Sequence, residues 1–350
     1  DATGAVKGLL IVEARTNIAK YSEDFSNPYW NAFGARGPMV ANATTAPDGT
    51  TTADKIMAVN ADTTNGAFQN ATPVPTGGCV SVFAKADTVD WLGFGEAGDC
   101  WAYFDLANGV TGNKSTTVGY TSITAYPNGW YLCQAWGITT SWSRVLFSPK
   151  PAEGNGDPWS NVTNAAGDSV FLWGAQFEAG AFPTSYIPTT YATATRATDV
   201  AIIPRSSFGH HNEASTWVVE FTPTFPSVDT NQVLLQRYGA GYDFYIWSTY
   251  SGTMSSSYMN SAASPYFPIT ANQTSKIAVV LKHGEYLSAC VDGGSISQNS
   301  VLSDTTVHNS TVVGWADVDY VLGGDQLGHI KSIKYYPRSL TDTQLQELTT

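Results

Sequence analysis

The chain is 350 residues long and carries 17 basic against 29 acidic side chains. The resulting charge of −12, spread over both halves, argues against a nucleic-acid-binding protein, because phosphate needs a basic face. Only 13% of residues are charged and 13% are aromatic, with Thr, Ser, Gly and Asn filling much of the rest, the composition of a polar, uncharged β protein. No apolar run approaches the roughly 20 residues that span a bilayer, so no membrane insertion is expected, and a chain this long calls for two cores rather than one.

The first 30 residues lack the basic, apolar, small-residue order of a secretory leader. Asp1-Ala-Thr-Gly-Ala-Val-Lys7 reads as the end of a linker, which suggests the C-terminal part of something longer. Short alternating runs then recur between turn residues, the pattern of a sandwich or barrel. Clear cases are Cys79-Val-Ser-Val-Phe-Ala-Lys85, Gly129-Trp-Tyr-Leu-Cys-Gln-Ala-Trp-Gly137 and Ser169-Val-Phe-Leu-Trp-Gly-Ala-Gln-Phe177, followed by Thr216-Trp-Val-Val-Glu-Phe-Thr222 and Ser275-Lys-Ile-Ala-Val-Val-Leu-Lys282. Asp48-Gly49, Asn108-Gly109, Asn128-Gly129 and Asp292-Gly293-Gly294 supply the positive φ of tight turns. The Thr-rich stretch Ile187–Arg196 has no core periodicity and places a boundary near 194. The predicted helix comes last, with Thr341 as N-cap, Gln344 closing a capping box, and Leu340, Leu345 and Leu348 facing the preceding strand. Cys79, Cys100, Cys133 and Cys290 form no C-x-x-C pair and read as free, buried thiols.

Particular strings narrow the expectation. Gly8-Leu-Leu-Ile-Val-Glu-Ala-Arg-Thr-Asn17, Tyr21-Ser-Glu-Asp-Phe25 and Trp30 resemble the opening of a module found in bacteriophage tail-fibre and other virion structural proteins. Ala46-Pro-Asp-Gly-Thr-Thr-Thr-Ala-Asp-Lys-Ile56 is similar to its middle signature. Leu172-Trp-Gly-Ala-Gln-Phe-Glu-Ala-Gly180 with Pro183-Thr-Ser-Tyr-Ile-Pro-Thr189 is similar to its close. The resemblance implies a jelly roll of carbohydrate-binding-module type, in which Arg15 and Asn17 tie down the first strand. The segment Gly328-His-Ile-Lys-Ser-Ile-Lys-Tyr-Tyr-Pro-Arg-Ser-Leu-Thr-Asp-Thr-Gln-Leu-Gln-Glu-Leu348 resembles the end of a concanavalin A-like (laminin G-like) domain. The expected architecture is therefore all-β, two tandem β-sandwich domains with a short C-terminal helix. Residues 1–15 would be linker and first strand, 16–194 the jelly roll and 195–350 the second sandwich.

Catalytic chemistry finds little footing. A hydrolase on a concanavalin A sandwich would be expected to carry Glu-x-Asp-x-x-Glu on one strand, which none of the nine glutamates provides. Glu96 and Asp99, near Trp91 and Trp101, are the nearest acidic pair in an aromatic setting, and His210-His211 stands without H-x-x-x-H spacing. Calcium is the candidate cofactor, through Asp87, Asp90 and Asp99 in the first half and Asp317, Asp319 and Asp325 in the second, neither set at a diagnostic spacing. No other cofactor is expected.

Eight of the eleven tryptophans lie in the first half. Trp130, Trp136, Trp173 and Trp217 sit in alternating strands and read as core, and Trp30 as structural. Trp91, Trp142 and Trp159 fall among Asp, Gly, Ser, Pro and Asn, where a loop placement makes them glycan candidates, with Trp101 beside Trp91. In the second half, Tyr238-Gly-Ala-Gly-Tyr242-Asp-Phe-Tyr-Ile-Trp247 offers Tyr242 and Trp247 for a groove, or a plain hairpin. The leading expectation is a phage virion protein, a homo-oligomeric tail-fibre or receptor-binding segment, trimeric as the resemblance to fibre proteins implies, contacting host surface polysaccharide. A capsid or tail decoration protein gripping other virion proteins is the second reading, and a polysaccharide-degrading enzyme the third.

Overall fold

The computed structural model describes residues 8–11, 14–33, 39–96, 98, 100–197, 199, 201–203, 207–208, 214–223, 232–237, 244–248, 253–258, 262–263, 267–270, 273–282, 285–300, 320–322 and 328–350. Every pairing between the described strands is antiparallel, and the chain divides into two compact units, one holding Arg15–Arg196 and the other Ala197–Thr350.

The first unit is a sandwich of two six-stranded sheets. One sheet runs in the order Val110–Lys114, Trp101–Asp105, Trp91–Gly95, Trp142–Lys150, Gly66–Val74, Asn31–Phe33. The other runs Val118–Tyr126, Trp130–Ile138, Cys79–Ala86, Ser169–Glu178, Ala53–Met57, Val40–Thr44. Alternation decides what goes between them: Leu92, Phe94, Ala102, Phe104, Val145 and Phe147 of the first sheet meet Val80, Val82, Ala84, Cys133, Leu172 and Phe177 of the second, all fully buried. Each such Phe contributes roughly 1.5–3 kcal/mol by burial alone. The outer face of the second sheet carries its own cluster of Phe83, Trp130 and Trp173, with Tyr186 packed against it.

Arg15–Asn17 pairs with Ala194–Arg196, so this unit is entered and left through one two-stranded ribbon. The boundary thus falls two residues after the expected 194, because the pairing claims Ala194–Arg196 for the first unit. The strand Leu9–Ile11, expected to open the first sandwich, instead pairs with Gly328–Tyr336 of the second, Leu9 opposite Ile330.

The second unit has one sheet in the order Leu9–Ile11, Gly328–Tyr336, Ala214–Pro223, Ser275–Lys282, Tyr286–Val291, Ser297–Ser300. Its other sheet holds Ala201–Ile203, Tyr320–Leu322, Gln232–Arg237, Phe244–Ser248, Thr253–Tyr258 and Ala262–Ala263, with Phe267–Pro268 also on Thr253–Tyr258. Trp217, Val219, Phe221, Ile277, Val279, Leu287 and Ala289 build the core with Leu235 and Ile246. The helix Asp342–Thr349 seats Leu345 on the outer face of the first of these sheets, against Val218, Ala278 and Val280. Its capping box forms as the sequence predicts, Gln344 N donating to Thr341 Oγ1 at 3.4 Å and Thr341 N to Gln344 Oε1 at 3.0 Å. None of the described helices is long and apolar enough to cross a membrane.

Candidate functional site

From Arg15 onward, the strings that resemble a virion module come together inside the first sandwich. Asn17 is wholly buried, and its Nδ2 donates to Ala175 O at 3.0 Å and Ile187 O at 2.8 Å. Its Oδ1 accepts from Ala19 N and Phe177 N, both at 3.0 Å. Arg15 lies over Phe182 and donates to Ala179 O, Gln176 Oε1 accepts from Ile187 N, and Ser22 Oγ meets Tyr186 Oη at 2.6 Å. In the middle string, buried Asp54 accepts from Ser26 N and Asn42 N. These residues satisfy buried backbone groups where strands end, so the strings encode an internal clasp rather than a ligand surface.

The surface of interest lies on the other sheet. Strands Trp91–Gly95 and Trp101–Asp105 pair with Trp91 opposite Asp105, Gly93 opposite Tyr103 and Gly95 opposite Trp101. Because Leu92, Phe94, Ala102 and Phe104 point into the core, Trp91, Trp101 and Tyr103 stand on the outer face. Trp101 and Tyr103 meet edge to face at 5.7 Å. Trp91 and Trp101 are both partly exposed and lie four residues apart in register, roughly 13 Å at the rise of a β-strand. Tyr103 between them is fully buried.

The segment 151–164 crosses this face and covers Tyr103. A Cβ on Gly93 would lie 2.9 Å from Pro158 Cβ, and one on Gly154 would lie 2.2 Å from Tyr103 Oη, so both glycines are needed for the close approach. Asp157 shapes the segment by accepting from Trp159 N at 2.9 Å, Ser160 N at 3.0 Å and Ser160 Oγ at 2.7 Å. Trp159 is thereby set on Phe68, 5.5 Å between rings, with the Arg144 guanidinium 4.9 Å above it. Glu153 Oε1 accepts from Asn113 N at 2.6 Å, and Asn113 Nδ2 donates to Gly154 O. The Trp91 ring and the Glu153 carboxylate both crowd over Gly112, where a Cβ would lie 2.6 Å from Trp91 Cζ3 and 2.7 Å from Glu153 Oε1. Burial, reinforced by the charge of Asp157, pushes the Tyr103 phenol up and keeps it neutral. The outcome is a row of two partly exposed indoles over a buried phenol, with an exposed carboxylate at one end.

Trp91, Trp101 and Trp159 therefore gather on one face, although Trp91 and Trp101 are strand residues and Trp159 is only 5% exposed. Trp142 does not join them. It opens the strand Trp142–Lys150 and is wholly buried, with no ring face to offer a ligand. The register shift between Trp142 and Arg144 turns it inward. Trp247 lies in Phe244–Ser248, opposite Val233 and Ser255. Tyr242 lies outside the described residues.

Of the calcium candidates, Asp99, Asp317, Asp319 and Asp325 lie outside the described residues. Asp87 is engaged by Lys55 Nζ at 2.7 Å and by Ser169 Oγ at 2.6 Å. Burial alone would raise its carboxyl, but those two partners outweigh it and hold the group below the usual range. Asp90 is exposed, and its backbone oxygen accepts from Leu106 N. Among the described residues no three His, Cys, Asp or Glu side chains converge on one point. Glu96 accepts from the Ser143 backbone N at 2.6 Å and from the Ser143 hydroxyl, so it ties the end of Trp91–Gly95 to the strand Trp142–Lys150. All four cysteines are free and buried.

Sequence reasoning passed over Tyr103, Asn113, Glu153, Asp157 and Arg144. Tyr103 was within reach, since Trp101-Ala-Tyr-Phe-Asp places residues 101 and 103 on one face of any strand. The rest meet the row only through tertiary contacts.

Fold and site together define an all-β protein of antiparallel sandwiches with an aromatic row on one sheet face. No protein-family model matches the sequence, and no curated protein matches it. Among solved structures it is similar to the CBM40 of Ruminococcus gnavus IT-sialidase bound to α2,3-sialyllactose, at 18% identity and TM-score 0.32 over 40% of this chain and 84% of that one. Sheep galectin-11 in complex with glycerol is similar at 10% identity and TM-score 0.24, over 39% of this chain and 96% of that one. Domains LG4-5 of the mouse laminin α1 chain are similar at 10% identity and TM-score 0.27, over 87% of this chain and 92% of that one.

Proposed function

We propose that the protein binds carbohydrate, without converting it, on the aromatic row of the first sandwich. The observation that carries this reading is the pair of partly exposed indoles, Trp91 and Trp101, on one sheet face with the Glu153 carboxylate beside Trp91. Indole faces stack on the C–H faces of sugar rings, and a carboxylate accepts from their hydroxyls. The spacing of the two rings suits an oligosaccharide rather than a single ring. The reading is non-enzymatic because the nearby carboxylates already serve the fold: Asp157 and Asp105 hold turns, and Glu153 holds Asn113 N.

The finer reading is a phage virion surface protein, a tail-fibre or receptor-binding segment assembled as a homo-oligomer among other virion proteins and touching host surface polysaccharide. Its support is the ordered set of strings over residues 8–189. No cofactor is invoked, and calcium enters as an arm of the test.

A glycan array probed with the purified protein, with and without calcium, tests the proposal. Saturable binding to at least one oligosaccharide, lost in Trp91→Ala, is expected. Absence of binding at high protein concentration in both conditions would overturn it and favour a virion decoration role.

A further inference from the structure

Lys150 ends the strand Trp142–Lys150, and its side chain is wholly buried. Its Nζ donates to Thr63 O at 2.8 Å, Val162 O at 3.0 Å and Asn164 Oδ1 at 3.4 Å. An ammonium has three N–H donors, and three neutral oxygens from two separate segments take them up. Asn164 is itself fastened, Nδ2 donating to Pro149 O at 2.7 Å and its backbone N to Asp62 O at 2.9 Å.

Val162, one of these partners, has φ +61°. A β-branched residue in the left-handed region is a strained outlier that persists only where its surroundings hold it. What holds it is visible: its carbonyl is bound by the buried ammonium. Between Lys150 and Val162 the chain carries Gly154, packed between Tyr103 and Asn161, Glu153 beside Trp91, and Trp159 on Phe68.

We infer that Lys150 is a positioning residue, a cation carried by the chain itself that keeps segment 151–164 in a strained conformation and so presents Glu153 to the aromatic row. The latch stands on geometry alone; its consequence for ligand affinity rests on the carbohydrate reading.

The test uses the full chain with Lys150→Met, Val162→Gly and the double variant, read by cleavage with a glutamate-specific protease at Glu153 and by binding of an oligosaccharide taken from the array. In Lys150→Met, cleavage is expected to quicken about tenfold or more and affinity to fall by a similar factor. Adding Val162→Gly should recover most of both, because glycine meets no penalty at that φ. Val162→Gly alone should cleave no faster than wild type. Unchanged cleavage in Lys150→Met, failure of the glycine to rescue it, or faster cleavage in Val162→Gly alone would each overturn the inference. If Lys150→Met does not fold, the Val162→Gly measurement still decides. If the wild type binds no glycan, the carbohydrate reading falls while the cleavage arm stands.

Discussion

The buried side-chain amide of Asn17 donates to Ile187 O at 2.8 Å, joining residues 170 positions apart. The same amide serves Ala175 O, Ala19 N and Phe177 N, so one side chain closes the gap between the first and last strands of the first sandwich. Asn17→Ala leaves those four backbone groups without their partner. At roughly 1–3 kcal/mol for a buried unsatisfied group, a loss of about 3–5 kcal/mol is expected in denaturant unfolding of the first unit followed by tryptophan emission. A loss under about 1 kcal/mol would refute the clasp.

Trp91 and Trp142 should separate by opposite phenotypes. Trp91→Ala removes a half-open ring and is expected to weaken oligosaccharide binding about tenfold while shifting stability by less than about 1 kcal/mol. Trp142→Ala empties a core site and should cost about 3–5 kcal/mol. Calorimetric melting and glycan titration of the two variants check the contrast, and a stability loss as large for Trp91→Ala would contradict the surface placement.

Burial pushes the Glu178 carboxyl above its usual range, and bonds from Thr184 only partly oppose this. The folded state therefore binds a proton more readily than the unfolded one, and stability from this group falls as pH rises past 4.5. Glu178→Gln should be at least as stable as wild type at pH 7, with the advantage shrinking toward pH 4. Denaturant midpoints at both pH values read this directly, and an advantage that grows on acidification would reverse the sign.

Lys150 titrates the other way. Burial draws its ammonium down to about 8, against opposing charges of Asp157, Asp62 and Asp168. Between about 8 and its ordinary 10.5 the unfolded chain binds the extra proton, so stability from this group rises with pH across that window. The slope is at most about 1.4 kcal/mol per pH unit. The difference in unfolding free energy between wild type and Lys150→Arg, which does not titrate in this range, should grow over that window. A flat difference would place the Lys150 amine in ordinary solvent.

What was legible in the sequence was local. Alternation in Cys79–Lys85 and Thr216–Thr222, the turns at Asp48-Gly49 and Asn108-Gly109, and the capping box at Thr341 are set within a few residues, and each forms in the structure. Non-local pairing decided the remainder. Trp91 and Trp142 follow similar turn-rich segments, yet one stands on the outer face and the other fills the core, because the ladder is irregular between Trp142 and Arg144, where a step of two residues faces a step of four from Val74 to Asn70, and such a bulge re-aims the side chain beside it. Leu9–Ile11 reads as a strand from its own residues, but only the edge presented by Gly328–Tyr336 determines where it pairs. Glu153 and Lys150 look like ordinary charged residues in sequence. Their places, beside an indole and inside a ring of oxygens, exist only once segment 151–164 is laid across the sheet.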